Sequence, residues 1–221
     1  MPDNVVRYFH YEYVPQEGRT IYTERQQSLS GNVNADFKDI SSTGNGGAVL
    51  STNNSVVGNI SGDFIDNSSS NAAGAIYISG NSAIGNVKGD FVGNHAGGYG
   101  GAIRNDGTIG NIIGNFIANY GSAGTACGGA VYLTSGNSGN TRKSDQITGN
   151  FIANHLEQTA SSGYAKGGAL DLWRYDVGTI KGDFVKEKEP IAYGRCRFLV
   201  LDVTGHRITS VRVKILPDEL S

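Results

Sequence analysis

The feature that most limits this chain is a phenylalanine that returns at near-regular intervals. Phe37, Phe64, Phe91, Phe116, Phe151 and Phe184 are separated by 27, 27, 25, 35 and 33 residues. Each closes a related run: LSGNVNADF, VVGNISGDF, AIGNVKGDF and TIGNIIGNF, then the looser SDQITGNF and DVGTIKGDF. An asparagine follows three residues later in four units, at Asn67, Asn94, Asn119 and Asn154. A small-residue motif comes next: Gly46-Gly47-Ala48-Val49, Ala73-Gly74-Ala75-Ile76, Gly100-Gly101-Ala102-Ile103, Gly128-Gly129-Ala130-Val131 and Gly167-Gly168-Ala169-Leu170. In the first three units the Phe precedes that motif by nine residues, and in the next two by 12 and 16. Insertions between two fixed landmarks are what loops leaving a stacked-repeat protein look like. A unit this short cannot bury its own apolar face, so stacking has to make the core.

Within one unit, Ile60-Ser61-Gly62-Asp63-Phe64 alternates, placing Ile60, Gly62 and Phe64 on one face and Ser61 and Asp63 on the other. Phe is then expected to stack on Phe inside the coil at the strand spacing of about 4.8 Å. The buried glycine leaves room for neighbouring rings or a bend. Asn suits a turn, since its amide satisfies backbone groups and it tolerates the left-handed conformation. If Asn67, Asn94, Asn119 and Asn154 line up, they form a ladder of amides. A helical repeat is excluded because glycine interrupts every candidate run, at about 1 kcal/mol each inside a helix.

Composition agrees. Glycine supplies 33 of 221 residues, with only 4 prolines and no Gly-X-Y period, which excludes collagen. A charged fraction of 17% and a net charge of −2 give no basic field for nucleic acid. Two cysteines, Cys127 and Cys196, make neither a disulfide framework nor a thiolate zinc site, and sequence leaves open whether they pair. No window reaches the length of a transmembrane span, and Met1 to His10 lacks the basic and apolar regions of a signal peptide.

The expected fold is all-β: about six turns of a right-handed parallel β-helix with irregular caps, a rod on the order of 30 Å long. Residues 1–30 read as an N-terminal cap or irregular segment, 31–185 as the repeat domain and 186–221 as a C-terminal strand or hairpin tail. The N-terminal segment carries an aromatic cluster, Tyr8 to Tyr13, suited to covering exposed strand edges. In the tail, Arg197 to Val203 and Ile208 to Ile215 read as strands, with Thr204-Gly205-His206 as the turn of a hairpin. The change in composition after Val185 also admits a reading frame interrupted there.

FxxN followed by GGA[ILV] resembles the repeat of the polymorphic outer membrane proteins and related autotransporter passenger domains. The resemblance runs from about Gly31 to Val185. It implies a β-helical passenger displayed at the bacterial cell surface, on the outer membrane, or released outside the cell, with adhesive or host-contacting roles. Members normally carry a signal peptide and a membrane β-barrel. Neither is read in this chain, so any membrane attachment would come through a barrel that these residues do not contain.

The side chains that carry chemistry are sparse. Asp36, Asp63, Asp90, Asn115, Asn150 and Asp183 each precede a Phe and would form an outward rank with neighbours about 5 Å apart. Such a rank is either a calcium-binding or polar ligand stripe or, as preferred, a solvated face that discourages sideways association. Asp171, Arg174 and Asp176 around Trp173 are the one close cluster of acid, base and aromatic, and form the candidate ligand surface. Polysaccharide lyases and hydrolases also use β-helices, so this cluster is where catalysis would sit. With Asp171-Leu172-Trp173 continuing a repeat strand, packing is the preferred role and no catalytic residue is assigned. His10, His95, His155 and His206 lack metal-ligand spacing; His95 and His155 fall at equivalent turns, with Tyr120 near that position between them. No glycine-rich run continues into a phosphate loop, and threonine is too scattered for an ice-binding face. No cofactor or metal is assigned. The expected function is non-enzymatic, adhesin-like binding of a host-cell, matrix or glycan ligand. The insertions at Tyr120 to Cys127, Thr134 to Asp145 and His155 to Lys166 would carry it. A carbohydrate-active enzyme and a passenger remnant without present function are the alternatives.

Overall fold

The computed structural model describes residues 5–6, 21–23, 28–29, 31–123, 126–135, 142–158, 165–185, 190–193, 196–204 and 207–215. Among them there is no helix; the strands form six parallel sheets and one antiparallel sheet. Within residues 31–185 parallel pairing joins each strand to its counterpart in the next unit. Phe64 pairs with Phe37 and Phe91, Ile76 with Val49 and Ile103, and Val87 with Ile60 and Ile112. Strands mostly two to four residues long separated by corners, each stacked on its repeat equivalent, are the arrangement of a parallel β-helix or solenoid.

One face of each strand points inward. The Phe column is buried from Phe37 to Phe151, with ring centroids 4.6 to 4.8 Å apart through Phe184 and planes within 8° of parallel. That spacing is the strand spacing itself, so the backbone ladder and the ring stack reinforce each other. Columns of Ile60, Val87, Ile112 and Ile147, of Val49, Ile76, Ile103 and Val131, and of Val57, Ile84 and Ile109 complete the core. At the last of these rungs cover is lost. Phe184 is 51% exposed where Phe151 is 1%, and Ile180 is 40% exposed where Ile147 is 0%.

Two local readings are corrected. The run from Ile60 to Phe64 is two strands, Ile60–Ser61 and Phe64–Ile65, in different sheets. Gly62 makes the corner between them at φ +142°, and a Cβ there would lie 1.9 Å from the carbonyl oxygen of Ala35 one rung away. Glycine is required for close backbone approach, whereas ring packing is met by the Phe column. Likewise the left-handed residue of the turn after Phe is the one before the asparagine. Asp66, Ala118 and Ala153 have φ of +52° to +53° and Gly93 +64°, and Asp39, at the same place before Ile40, has +56°. That turn swings the next side chain inward, which is why Asn67, Asn94 and Asn119 are fully buried.

The early segment continues three of the parallel sheets: Val5–Val6 pairs with Val33–Asn34, Ile21–Thr23 with Val49–Ser51, and Ser28–Leu29 with Val56–Val57. The aromatic cluster at Tyr8 to Tyr13 lies outside the described residues. After Phe184–Val185 the pairing mode changes, and Pro190–Tyr193, Cys196–Thr204 and Arg207–Ile215 form a three-stranded antiparallel sheet. The expected turn residues Gly205 and His206 fall outside the described set.

The longer units differ from the rest in a defined way. Arg142–Thr148 and Tyr175–Lys181 are seven-residue strands paired along their length, where earlier units use two short strands such as Thr108–Ile109 and Ile112–Ile113. Ser144 Oγ donates to the Ile109 carbonyl at 2.8 Å, fastening the first long strand to the rung before it. Tyr120–Ala123 and His155–Gln158 are widened to four residues, and Ala126–Cys127 with Ala165–Lys166 adds a two-stranded sheet.

Replacing Phe91, which has a ring on each side, with alanine should cost about 3–5 kcal/mol in urea unfolding. Phe184→Ala should cost roughly 1–2 kcal/mol, because half its surface is already in solvent. Equal losses at the two positions would contradict the stacking account.

Candidate functional site

Most repeated polar side chains are consumed by the scaffold. Asn67 Nδ2 donates to the Phe37 carbonyl at 3.0 Å in the preceding rung and to Asn94 Oδ1 at 2.9 Å in the following one. Its own Oδ1 accepts from the Ile40 amide at 3.2 Å. Asn94 and Asn119 repeat both donations, and Asn154 Nδ2 donates to the Phe116 carbonyl at 2.7 Å. The expected turn ladder is therefore a buried line of paired amides.

The acidic and amide rank before each Phe is in register and bound to backbone. Asp36 Oδ1 accepts from the Asp63 amide at 2.9 Å, Asp63 Oδ1 from Asp90, and Asp90 Oδ1 from Asn115, both at 2.8 Å. Asn115 and Asn150 continue the series to Asn150 and Asp183. In a second outward series Asn59 Nδ2 donates to Asn32 Oδ1, and the Asn86 and Asn111 amides donate to Asn59 and Asn86 Oδ1. Its signal is the asparagine in the Gly-Asn pair that recurs before the first four Phe. Among the described residues no group of three or more His, Cys, Asp or Glu is placed to hold a metal ion.

One outward rank breaks the pattern. In the sheet that follows the GGA motif, Leu50, Tyr77, Arg104, Tyr132 and Asp171 are register partners in successive strands. Arg104 lies over Tyr77, Tyr99 and Tyr132, its guanidinium carbon 5.4, 4.8 and 5.8 Å from the ring centroids. Its Nε and Nη2 donate to Asp106 at 3.1 and 2.9 Å, and the Tyr77 hydroxyl donates to the same carboxylate at 3.2 Å. Burial opposes the Arg104 charge, yet the charge and hydrogen bonds of Asp106 hold its pKa above the ordinary value. Burial first, then Asp106, raises the Tyr77 hydroxyl. Tyr132 is pushed up to about 12, by burial first and then by Cys127. The sequence reading missed this cluster; its signal is the variable residue immediately after GGA[ILV] in an otherwise fixed motif.

The four residues of the sequence-derived ligand surface divide between two sheets. Asp171 and Trp173 lie in Leu170–Trp173, and Asp176 lies in Tyr175–Lys181 beside Lys143. Arg174 makes the corner between them at φ +54°, its guanidinium carbon 5.2 Å from the Trp173 ring centre. Trp173 is 47% exposed. Asp171 turns instead toward Cys127, a buried free thiol whose pKa rises to about 11 through burial first and then the charge and hydrogen bond of Asp171. His95, Tyr120 and His155 are register partners with stacked rings, 4.2 and 5.3 Å between successive centroids. His95 Nε2 meets Ser122 Oγ at 2.8 Å, and His155 Nε2 lies 3.5 Å from Glu157. His10 and His206 lie outside the described residues.

The chain matches no family model, no curated protein and no solved structure.

Two outcomes follow. Asn94→Ala leaves the Phe64 carbonyl and an Asn119 acceptor without their buried donor, and should cost about 2–3 kcal/mol in chemical unfolding. Asn86→Ala, on the exposed series, should cost well under 1 kcal/mol. The Cys127 thiol stays neutral in the folded protein up to about pH 11 and ionises in the unfolded chain near pH 9. Its contribution to stability is therefore complete below pH 9 and lost as pH rises from 9 to 11. Alkylation by iodoacetamide at pH 8 should be slow in the folded protein and fast in urea.

Proposed function

We propose that the chain is a segment of a surface-displayed or secreted passenger, about six turns of right-handed parallel β-helix, that acts as a non-enzymatic, adhesin-like binding module. The observation that carries this reading is where the repeat relaxes. The ladders run through every unit, while the fourth and fifth alone widen strands and add the sheet of Ala126–Cys127 and Ala165–Lys166. A scaffold of fixed register with its irregular segments gathered on adjacent rungs is how stacked-repeat proteins present contact surfaces. The FxxN and GGA[ILV] resemblance supports display outside the cell. A host-cell, matrix or glycan ligand is the proposed partner.

Catalysis is the weaker reading on the geometry of the acidic residues. The carboxylates of the rank before Phe accept backbone amides, Asp106 is held by Arg104, and Asp171 and Asp176 stand on opposite sides of a corner. A hydrolase or lyase needs such groups to converge on one groove.

The test is attachment to cultured cells and to immobilised matrix proteins. Replacing residues 136–141 and 159–164 with short turns of the kind in the first three units should reduce attachment at least tenfold while the melting temperature moves little. Full attachment by that variant would overturn the assignment to the insertions. Cleavage of any member of a polysaccharide panel, lost in Asp171→Ala or Asp176→Ala, would establish the enzyme reading instead.

A further inference from the structure

The two ends of the phenylalanine column differ. Phe37 begins it and is 0% exposed, whereas Phe184 ends it 51% exposed, with Ile180 of the same rung at 40%. The last rung therefore presents an apolar end that the rest of the coil does not cover. A sheet of matching character follows in the same chain. In the antiparallel sheet, Phe198 pairs with Ile191 and Val213, Val200 with Val211, and Cys196 with Tyr193 and Ile215. Register partners share a face and alternate residues change face, so all of these residues lie on one side. Arg197, which pairs with Ala192 and Lys214, and Leu199, which pairs with Pro190 and Arg212, lie on the other. One face is apolar throughout and the other carries three cationic residues. A three-stranded sheet is stable only when such an apolar face packs on something.

We propose that the antiparallel sheet closes over the open last rung of its own coil, its face of Ile191, Phe198 and Val213 meeting Ile180 and Phe184. The proposal is independent of the binding reading given above. Four residues, 186–189, separate Val185 from Pro190, a span of at most about 18 Å when fully extended. That tether holds the sheet near the rung at an effective concentration on the order of millimolar, which favours it over a second copy of the chain. Nor could a second copy extend the column head to tail, because its Phe37 is already covered. Closure leaves Arg197, Arg212 and Lys214 facing water, and charge in that position opposes the addition of further strands. Phe184 and Ile180, as the structure holds them, are in the open arrangement from which the sheet closes.

Cys196, on the apolar face, is the probe. The full chain at micromolar concentration is treated with iodoacetamide at pH 8, and the Cys196 peptide is followed apart from that of Cys127 by mass spectrometry. Cys196 should react at least tenfold more slowly in the native chain than in urea. Ile180→Asp, on the rung, should raise the native rate at least fivefold, while Leu199→Asp, on the opposite face of the sheet, should leave it unchanged. The rung is read separately in a chain carrying Trp173→Phe and Phe184→Trp. Its emission should shift to the red when Val213→Asp is added and stay in place when Arg212→Ser is added. If Ile180→Asp fails to fold, the emission shift decides alone. Reaction of Cys196 in the native chain at the unfolded rate overturns the closure. So does an emission that Val213→Asp does not move. Protection that grows with chain concentration, together with a dimer in sedimentation, overturns it in favour of a second copy.

Discussion

A carboxamide buried among hydrocarbon side chains costs a few kcal/mol when its donors and acceptor are unmet. Asn67, Asn94 and Asn119 avoid that cost only because each finds the next one a rung away, together with the carbonyl of a Phe in the rung before. Hydrophobic burial alone sets no register, since phenylalanine gains nearly as much from any apolar neighbour. Paired amides do set it: a slip of one residue would turn the asparagines outward and strand the carbonyls they serve. The Phe column supplies most of the burial and the Asn column supplies the alignment. The outward ranks of Asp36 to Asp183 and Asn32 to Asn111 repeat that alignment in solvent, where each bond is worth less.

What could be read from the sequence was whatever recurs by identity. Phe64 and Asn67 return as the same residues at the same offset, and stacking follows because equivalent positions in parallel strands must coincide. At Gly62 a bend was one of two readings and the sequence did not choose, because Ile60 to Phe64 alternates as well as any straight strand does. Only the approach of the Ala35 carbonyl shows why a side chain is forbidden there. The Arg104 cluster was hidden for the opposite reason. Leu50, Tyr77, Arg104, Tyr132 and Asp171 share nothing as residues, so the position looks like noise until the strands are laid side by side. Asp171 and Asp176, five positions apart in sequence, are divided by the left-handed corner at Arg174, which their spacing does not show.

The rank outside the GGA strand shows what the scaffold allows once register is secured elsewhere. Inward positions are confined to residues that stack on themselves, whereas the outward positions of this sheet vary from rung to rung. Arg104 uses that freedom to settle among three tyrosine rings and Asp106, an arrangement that draws on residues from strands and turns of different rungs. Guanidinium over aromatic faces is favourable by roughly 0.5–2 kcal/mol depending on exposure. The cluster can be held on one sheet face because the core beneath it does not depend on it.

Parallel stacking carries no stop signal of its own, since each rung leaves unpaired amides and an apolar face that the next rung can cover. Phe184 and Ile180 show that state directly: both continue their columns, and both remain substantially in solvent. Within a few residues the chain changes to antiparallel pairing, with Cys196–Thr204 between Pro190–Tyr193 and Arg207–Ile215. An antiparallel sheet pairs with adjacent sequence and so does not offer the 27-residue register that the rungs require. The change of pairing mode therefore ends the repeat at the point where the FxxN asparagine is missing after Phe184, so that the amide ladder and the coil stop together.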